Sequence, residues 1–273
     1  MKVVLVTGTS SGIGRAAVHA LRAKGCHVVA TARNVDDIQD MAGGGVDLVR
    51  LDVTDDKSRR AAIKAVLAKH GRIDGLVNNA GYGAYNPLEE TDIDDMRAMF
   101  EVNVLGMHAL TQLVLPTMRA QGSGRIVNVA SIVAHLVFPT MGAYSASKFA
   151  VRSLTEALDM EARRFGIRAC LIEPGRIKTG FHDRAIEESA VPDGPYAALQ
   201  ERMQGLTAKS GAKPEIIAKR IARACTARRP PFHAFAPLEA KAGNLAKRLL
   251  PDALIHRVVS WYFGAGRSDR SKD

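Results

Sequence analysis

The stretch Val3-Val4-Leu5-Val6-Thr7-Gly8-Thr9-Ser10-Ser11-Gly12-Ile13-Gly14 decides the fold. Its first four residues are apolar and mostly β-branched, which predicts a buried strand. Residues 13–24 are rich in helix formers and stop at Gly25, a C-cap, so a helix follows. The three glycines at the junction have separate physical tasks. Gly8 permits a tight turn, Gly12 lets the backbone approach a pyrophosphate, and Gly14 allows close helix–strand packing. The helix amino terminus then offers free N–H groups and the positive end of a dipole to an anion.

The same alternation extends outward. Residues His27–Ala32, Val46–Leu51, Leu76-Val77, Arg125–Ala130 and Ile167–Glu173 read as further strands. Helices are expected near 35–42, over 56–70, over 92–120 as one helix or two, and over 144–165. Apolar strands alternating with helices predict an α/β fold of Rossmann type. The sheet should be doubly wound and parallel, with about seven strands, helices on both faces and right-handed crossovers. After Gly180 the pattern weakens. Residues 181–212 read as a loop with one helix near 195–206, residues 214–227 as a helix and 232–236 as a short strand. A single NAD(P)-binding domain over 1–273 is expected, with 181–212 as a substrate loop or lid and 237–273 as a basic C-terminal extension.

Composition excludes several classes. Of 273 residues, 47% are hydrophobic and 24% charged, which rules out a disordered tail, a collagen-like chain or a coiled coil. No uninterrupted apolar run reaches the roughly 18 residues of a transmembrane helix, and the amino terminus is too quickly broken by glycine for a secretory signal. Three cysteines, Cys26, Cys170 and Cys225, are odd in number and form no CxxC, so neither a disulfide framework nor a metal site is expected. A soluble, cytoplasmic protein is the resulting expectation. Charge is uneven: residues 1–200 hold 23 Lys/Arg and 22 Asp/Glu, residues 201–273 hold 15 and 6. The basic third could face nucleic acid, an acidic membrane surface or a phosphorylated ligand, or be only a solvated face. No aromatic-basic stacking pattern supports nucleic acid.

The spacing GxxxGxG in Thr7–Gly14 resembles the fingerprint of the classical short-chain dehydrogenase/reductase family. Asn78-Asn79-Ala80-Gly81 is similar to its NNAG element, and Tyr144-Ser145-Ala146-Ser147-Lys148 to its YxxxK site. Ser131 stands thirteen residues before Tyr144, where the family has its serine. Asn103 stands at the family's helix asparagine, and Pro174-Gly175 resembles its PG turn. The resemblance covers residues 3–180. It implies a catalytic set of Asn103, Ser131, Tyr144 and Lys148, in which Asn103 holds a water linked to Lys148. It further implies a cofactor site at Gly8, Ser10, Ser11, Gly12, Ile13 and Gly14. Asp52 and Val53 would lie at the adenine, with Asn79, Ala80, Gly81, Tyr144, Lys148, Pro174, Gly175 and Ile177 along the cofactor. Thr179 would hold the carboxamide.

The residues themselves carry part of this chemistry. Tyr144 and Lys148 lie four apart on a predicted helix and share a face. A phenol with an ordinary pKa of about 10 is a poor base near neutrality, and a nearby ammonium is expected to lower it. Ser131 would donate a hydrogen bond to the substrate oxygen. At the end of the second strand the carboxylate that binds a ribose 2′-OH is replaced by Ala32, and Arg33 follows, which favours NADP(H). Asp52 could also be a helix N-cap.

The expected function is an NADP(H)-dependent oxidoreductase that interconverts a carbonyl and an alcohol on a small hydrophobic substrate, of steroid, retinoid, acyl or aryl ketone type. A non-catalytic NADP-binding sensor is the alternative. The substrate pocket should be lined by Ile132, Val133, Ala134, His135, Leu136, Thr140, Met141, Tyr82 and the 181–210 segment. His135 would either bind a polar end of the substrate or pack at the rim. Residues 253–263 read as an amphipathic helix that packs on the core, covers the pocket, meets a partner or rests on a membrane. Apolar residues on more than one face of helices 94–118 and 144–165 (Leu105, Met107, Leu110, Leu113; Phe149, Leu154, Leu158) predict a homodimer or homotetramer.

Overall fold

Seven parallel strands form one sheet in the order β3-β2-β1-β4-β5-β6-β7. The structure, a computed structural model, describes residues 1–181, 185, 189, 194–207 and 211–264. The strands are β1 (Val3–Val6), β2 (His27–Ala32), β3 (Val46–Arg50), β4 (Gly75–Asn78), β5 (Gly124–Val129), β6 (Ile167–Pro174) and β7 (His233–Ala236). Direction of winding reverses between β1 and β4. In such sheets ligands bind beyond the carboxyl ends of the strands at that switch point.

The period of two along β1 sorts its side chains between two cores. Val4 and Val6 pack beneath α1 (Gly12–Arg22) and α7 (Glu215–Thr226), with Leu21 and Ile221 fully buried. Val3 and Leu5 pack on the other face under α2 (Asp56–His70), α4 (Met107–Ala120) and the end of α5 (Gly142–Ala162). The three cysteines are free and all buried, in the α1–α7 layer. Burial pushes the Cys170 thiol up to about 11 and raises those of Cys26 and Cys225.

Buried polar ties fix strand to helix. Asn78 Nδ2 donates to Asn128 Oδ1 (2.8 Å) and to Thr111 Oγ1 (3.1 Å), and Asn128 Nδ2 donates to Thr155 Oγ1 (2.8 Å). These bonds join β4, β5, α4 and α5 in a medium where an unpaired amide would be costly. At the amino edge of the sheet, Asp47 gathers Lys69, His70 and His27, and against the opposing effect of burial their contacts pull its carboxyl down to about 2.

Several elements differ from the sequence reading. The helix expected near 35–42 is a 3₁₀ segment over Val35–Met41, opened by Asn34, whose side chain accepts from Asp36 N. Residues 92–120 are two helices, α3 (Ile93–Phe100) and α4, joined through a π-helical turn over Glu101–Gly106. Together Ile93–Ala120 is long and apolar enough by composition to cross a membrane. It lies on the sheet instead, with Met99, Val104, Leu110, Val114 and Met118 inward. Met107 and Leu110 are therefore buried in their own chain and cannot form a second apolar face, because Met107 joins the core around Ala130 and Leu171 and Leu110 that around Leu76 and Ile126. Leu105 (51% exposed) and Phe149 (39%) remain outside.

Of the expected loop 181–212, residues 182–184, 186–188, 190–193 and 208–210 lie outside the described residues, as does the tail from 265. Within it α6 (Ala197–Thr207) matches the helix expected near 195–206. The extension folds as α8 (Leu238–Leu249) and α9 (Asp252–Phe263).

Candidate active site

A cleft of about 1240 Å³ runs along the carboxyl ends of the strands. It exceeds the roughly 300–1,000 Å³ of a single small-molecule site, so it has room for a cofactor and a substrate together. All the sequence-predicted catalytic and cofactor residues line it except Gly14 and Asn103.

One end is a cradle for a phosphate. Gly8 and Gly12 have φ of +67° and +57°, which side chains resist. A Cβ on Gly14 would fall 2.1 Å from Gly8 O and 2.5 Å from Asn79 Nδ2. Asn79 Nδ2 donates to Thr7 O and Gly8 O, both at 3.0 Å, and so shapes the turn from β4. The first turn of α1 holds no acidic residue, which leaves its positive end available to an anion. These features fit a dinucleotide's pyrophosphate. Arg33 is exposed beside buried Ala32, and both line the cleft. Asp52 accepts from Thr54 N (2.9 Å) and Thr54 Oγ1 (2.8 Å). Burial opposes its ionisation, but those bonds with the Arg33 and Arg50 cations hold its carboxyl below the ordinary range. The N-cap of α2 is Asp55, which accepts from Lys57 N, so Asp52 does not serve that role.

Farther along, Ser131 follows β5 by two residues and α5 presents Tyr144 and Lys148 from its first two turns. The three side chains meet in the cleft and are almost fully buried. Ser131 Oγ accepts from Val133 N at 3.3 Å and donates to Pro174 O at 3.5 Å, and it lies close enough to the Tyr144 phenol to favour its ionised form. Lys148 Nζ lies 5.6 Å from the centroid of the Tyr144 ring and donates to Val129 O at 3.0 Å. Burial raises the Tyr144 phenol well above its ordinary value, only partly opposed by the Ser131 hydroxyl. This overturns the expected lowering by Lys148. The ammonium is spent on a backbone carbonyl, and burial brings its own pKa down to about 8.

Asn103 does not reach the cleft. From the π turn its Oδ1 accepts from Tyr82 N (3.1 Å), and its Nδ2 donates to Tyr82 O (2.9 Å) and Ser147 Oγ (3.1 Å). It thereby pins the loop after β4 to α5. π turns recur at functional sites because they re-aim such side chains.

Beyond Tyr144 the cleft is apolar. Tyr82, Ile132, Val133, Leu136 and Met141 line it as expected, whereas Ala134, His135 and Thr140 do not. His135 is buried away from the cleft: its Nε2 meets Glu173 Oε1 at 2.5 Å, and Arg152 Nη1 donates to its Nδ1 at 2.9 Å. A fully buried Glu173 in β6 takes both His135 and His233 as partners (His233 Nδ1 at 2.9 Å), because a buried carboxylate must be paired. The unexpected Glu in the apolar strand RACLIEP was the available signal. Met203 falls in the expected 181–210 segment; the sequence reading missed Met99, Phe138, Glu239, Tyr262 and Phe263 at the cleft. The last three belong to α8 and α9, so the extension does form part of the pocket wall.

Comparison with known proteins matches these features. The short chain dehydrogenase family profile matches residues 2–190. The oxidoreductase YbbO of Escherichia coli K12, itself uncharacterized, is 35% identical over 259 residues, 94% of each chain. A 3-ketodihydrosphingosine reductase of Bacteroides thetaiotaomicron is 32% identical, covering 96% of this chain and 98% of its own. Among solved structures, a short-chain dehydrogenase from Streptomyces avermitilis superposes with a TM-score of 0.85 at 33% identity, covering 97% of both chains. One from Burkholderia phymatum, in complex with NAD, gives 0.77 at 30%, over 90% of this chain and 93% of its own. A gluconate 5-dehydrogenase from Burkholderia cenocepacia, in complex with NADP and tartrate, gives 0.74 at 28%, over 88% and 95%.

The lowered Lys148 value has a measurable consequence. A lysine whose folded pKa lies below its unfolded value destabilises the fold; the penalty is full below about pH 8 and fades as pH rises toward 10.5. At roughly 1.4 kcal/mol per unit the penalty is about 3 kcal/mol, less about 1 for the bond to Val129 O. Lys148→Met is expected to stabilise the cofactor-free protein by about 2 kcal/mol at pH 7, and the gain should shrink above pH 8. Urea unfolding across that pH range reads both; a variant no more stable than the parent at pH 7 would refute the buried charge.

Proposed function

The chain belongs to the short-chain dehydrogenase family and is an oxidoreductase, and on that premise we propose that it reduces a carbonyl on a small hydrophobic substrate with NADP(H). The observation that carries this reading is the meeting of Ser131, Tyr144 and Lys148 in the cleft, with burial holding the proton on Tyr144. When bound, a nicotinamide would supply the hydride. Ser131 and Tyr144 would both donate hydrogen bonds to the carbonyl oxygen, and Tyr144 would release its proton to it as negative charge develops. A phenol kept protonated at neutral pH suits reduction better than oxidation. Lys148 would keep a positive charge beside the phenolate left behind and reach the ribose hydroxyls. Asn103 is a positioning residue in this scheme: it holds the Tyr82 backbone and Ser147 beside Lys148 and, as the family resemblance implies, orders a water near it. The intact reactive set argues against a sensor without turnover.

Cofactor choice rests on Arg33. Solved relatives hold NAD in one case and NADP in another. Here Ala32 offers no carboxylate to a ribose 2′-OH, while the Arg33 guanidinium suits a 2′-phosphate. The apolar wall favours an acyl, aryl, steroid or retinoid ketone, and the ketosphingoid reductase among the relatives supports a long-chain substrate. We also propose assembly through α4, the π turn before it and α5, where Leu105, Phe149 and Met160 are exposed and Leu113, Leu154 and Leu158 half-buried.

Arg33→Ala should weaken NADPH binding about tenfold, on the order of 1.5 kcal/mol for an exposed charge-assisted contact, and leave NADH nearly unchanged. Titration of both cofactors reads this, and a parent protein with equal affinity for the two refutes it. Tyr144→Phe should retain the fold and NADPH binding while turnover of a ketone panel falls by about 10²–10⁴. A variant that keeps more than about a tenth of the rate would exclude Tyr144 as the proton donor. Light scattering at micromolar concentration should give a dimer or tetramer, and a monomer would reject the α4–α5 interface.

A further inference from the structure

The two C-terminal helices carry apolar surface that the fold does not use. On α9, Ile255, Val259 and Phe263 recur four apart and pack inward. A second stripe on the same helix, Leu254, Val258 and Trp261, follows the i, i+4, i+7 spacing and faces out at 42%, 54% and 72% exposure. On α8 the outward stripe is Leu238, Ala242, Leu245 and Leu249, spaced i, i+4, i+7, i+11. Leu250, in the link between the helices, is exposed as well. Each helix thus presents an apolar stripe that the fold leaves unburied, and large exposed apolar surface on a soluble chain marks an interaction site.

Charge indicates what covers it. Lys241 and Arg248 flank the α8 stripe, and Arg257 flanks that of α9; among the described residues none of the three has an ion-pair partner. The acids nearby are engaged: Asp252 pairs with Lys247, and Glu239 accepts from Arg176 N at the rim of the cleft. An apolar stripe bordered by unpaired cations and a tryptophan is the composition of an interfacial helix on an anionic bilayer. A second copy fits less well, because an isologous contact sets the same cation-bordered face against itself, and the acids near it, Asp252 and Glu239, are already engaged. Position adds a third argument. Ala240 and Gly243 of α8, with Tyr262 and Phe263 of α9, wall the cleft. The helices that carry the free apolar stripes also frame the pocket.

We propose that α8 and α9 dock the protein on an anionic lipid surface through Leu238, Leu245, Leu249, Leu254, Val258 and Trp261, with Lys241, Arg248 and Arg257 at the headgroups. The cleft beside them then receives its substrate, a long-chain lipid carbonyl, from that surface; this second half rests on the oxidoreductase reading above.

Trp261 is the single tryptophan of the chain and reports on docking without turnover. The full chain would be mixed with vesicles of phosphatidylcholine, with and without phosphatidylglycerol, and followed by sedimentation and by tryptophan emission. Phosphatidylglycerol vesicles should carry the protein down and shift the emission to shorter wavelength; neutral vesicles should do so at least tenfold less well, and high salt should release it. Leu245→Glu with Leu249→Glu and Val258→Glu should abolish both signals. Lys241→Glu with Arg248→Glu and Arg257→Glu, which leaves the apolar stripes intact, should weaken binding at least tenfold. Both sets should reduce a water-soluble ketone at the parent rate. No sedimentation and no spectral shift at low salt overturns the docking. So does emission already blue-shifted without lipid, combined with Leu249→Glu converting a dimer to a monomer, which would assign the face to a second copy. Docking with no turnover of any ketone overturns the enzymatic reading alone. Turnover of soluble ketones but not of a vesicle-embedded long-chain ketone overturns the delivery of substrate from the surface.

Discussion

The structure depends on one close approach. The first turn of α1 passes the end of β1 so tightly that a single methyl at Gly14 would overlap the carbonyl oxygen of Gly8. That closeness points the helix amino terminus at the mouth of the cleft, and the intervening turn is held by Asn79, just after β4, and by Thr9, whose N and Oγ1 both donate to Thr31 O. Strand, turn, helix and the neighbouring strand are therefore one rigid unit. The switch point of the sheet lies between the two strands it joins, so the rigid unit and the ligand site coincide.

The reactive end is organised differently. Its groups are held by burial, at an energetic cost. Lys148 is shifted toward neutrality and Tyr144 away from ionisation by the same absence of water. Neither shift is useful to the stability of the fold, which makes the pair a place where the sequence departs from what packing alone would select. The polar network around it, from Asn103 to Ser147 and Tyr82, has every amide group satisfied and so fixes the loop without adding to that cost.

The sheet was legible because parallel strands read as short apolar runs closed by glycine or asparagine, and the cradle because its glycines sit at a strand-to-helix junction. The pairing of Tyr144 with Lys148 was legible from their spacing, and the place of Ser131 beside them from the family resemblance, though their electrostatics were not. Spacing predicts neighbours but not how dry their surroundings are, so the expected lowering of the Tyr144 pKa came out reversed. The 3₁₀ segment at Val35–Met41 escaped because a helix period over seven residues does not distinguish it from an α-helix. The role of His135 escaped because its partner, Glu173, lies on another strand 38 residues away. The pocket wall supplied by Tyr262 and Phe263 depends on how a distant helix docks, which no local pattern encodes.

The placement of the three cysteines has a consequence of a different kind. All lie in the layer between the sheet and α1–α7, and none lies in the layer beneath α2, α4 and α5. Burial keeps their thiols protonated and out of reach of alkylating reagents. Chemical labelling of this protein is thus a clock for one side of the molecule alone: sulfur becomes reactive only when the α1–α7 layer parts from the sheet, and partial opening of the opposite layer passes unrecorded.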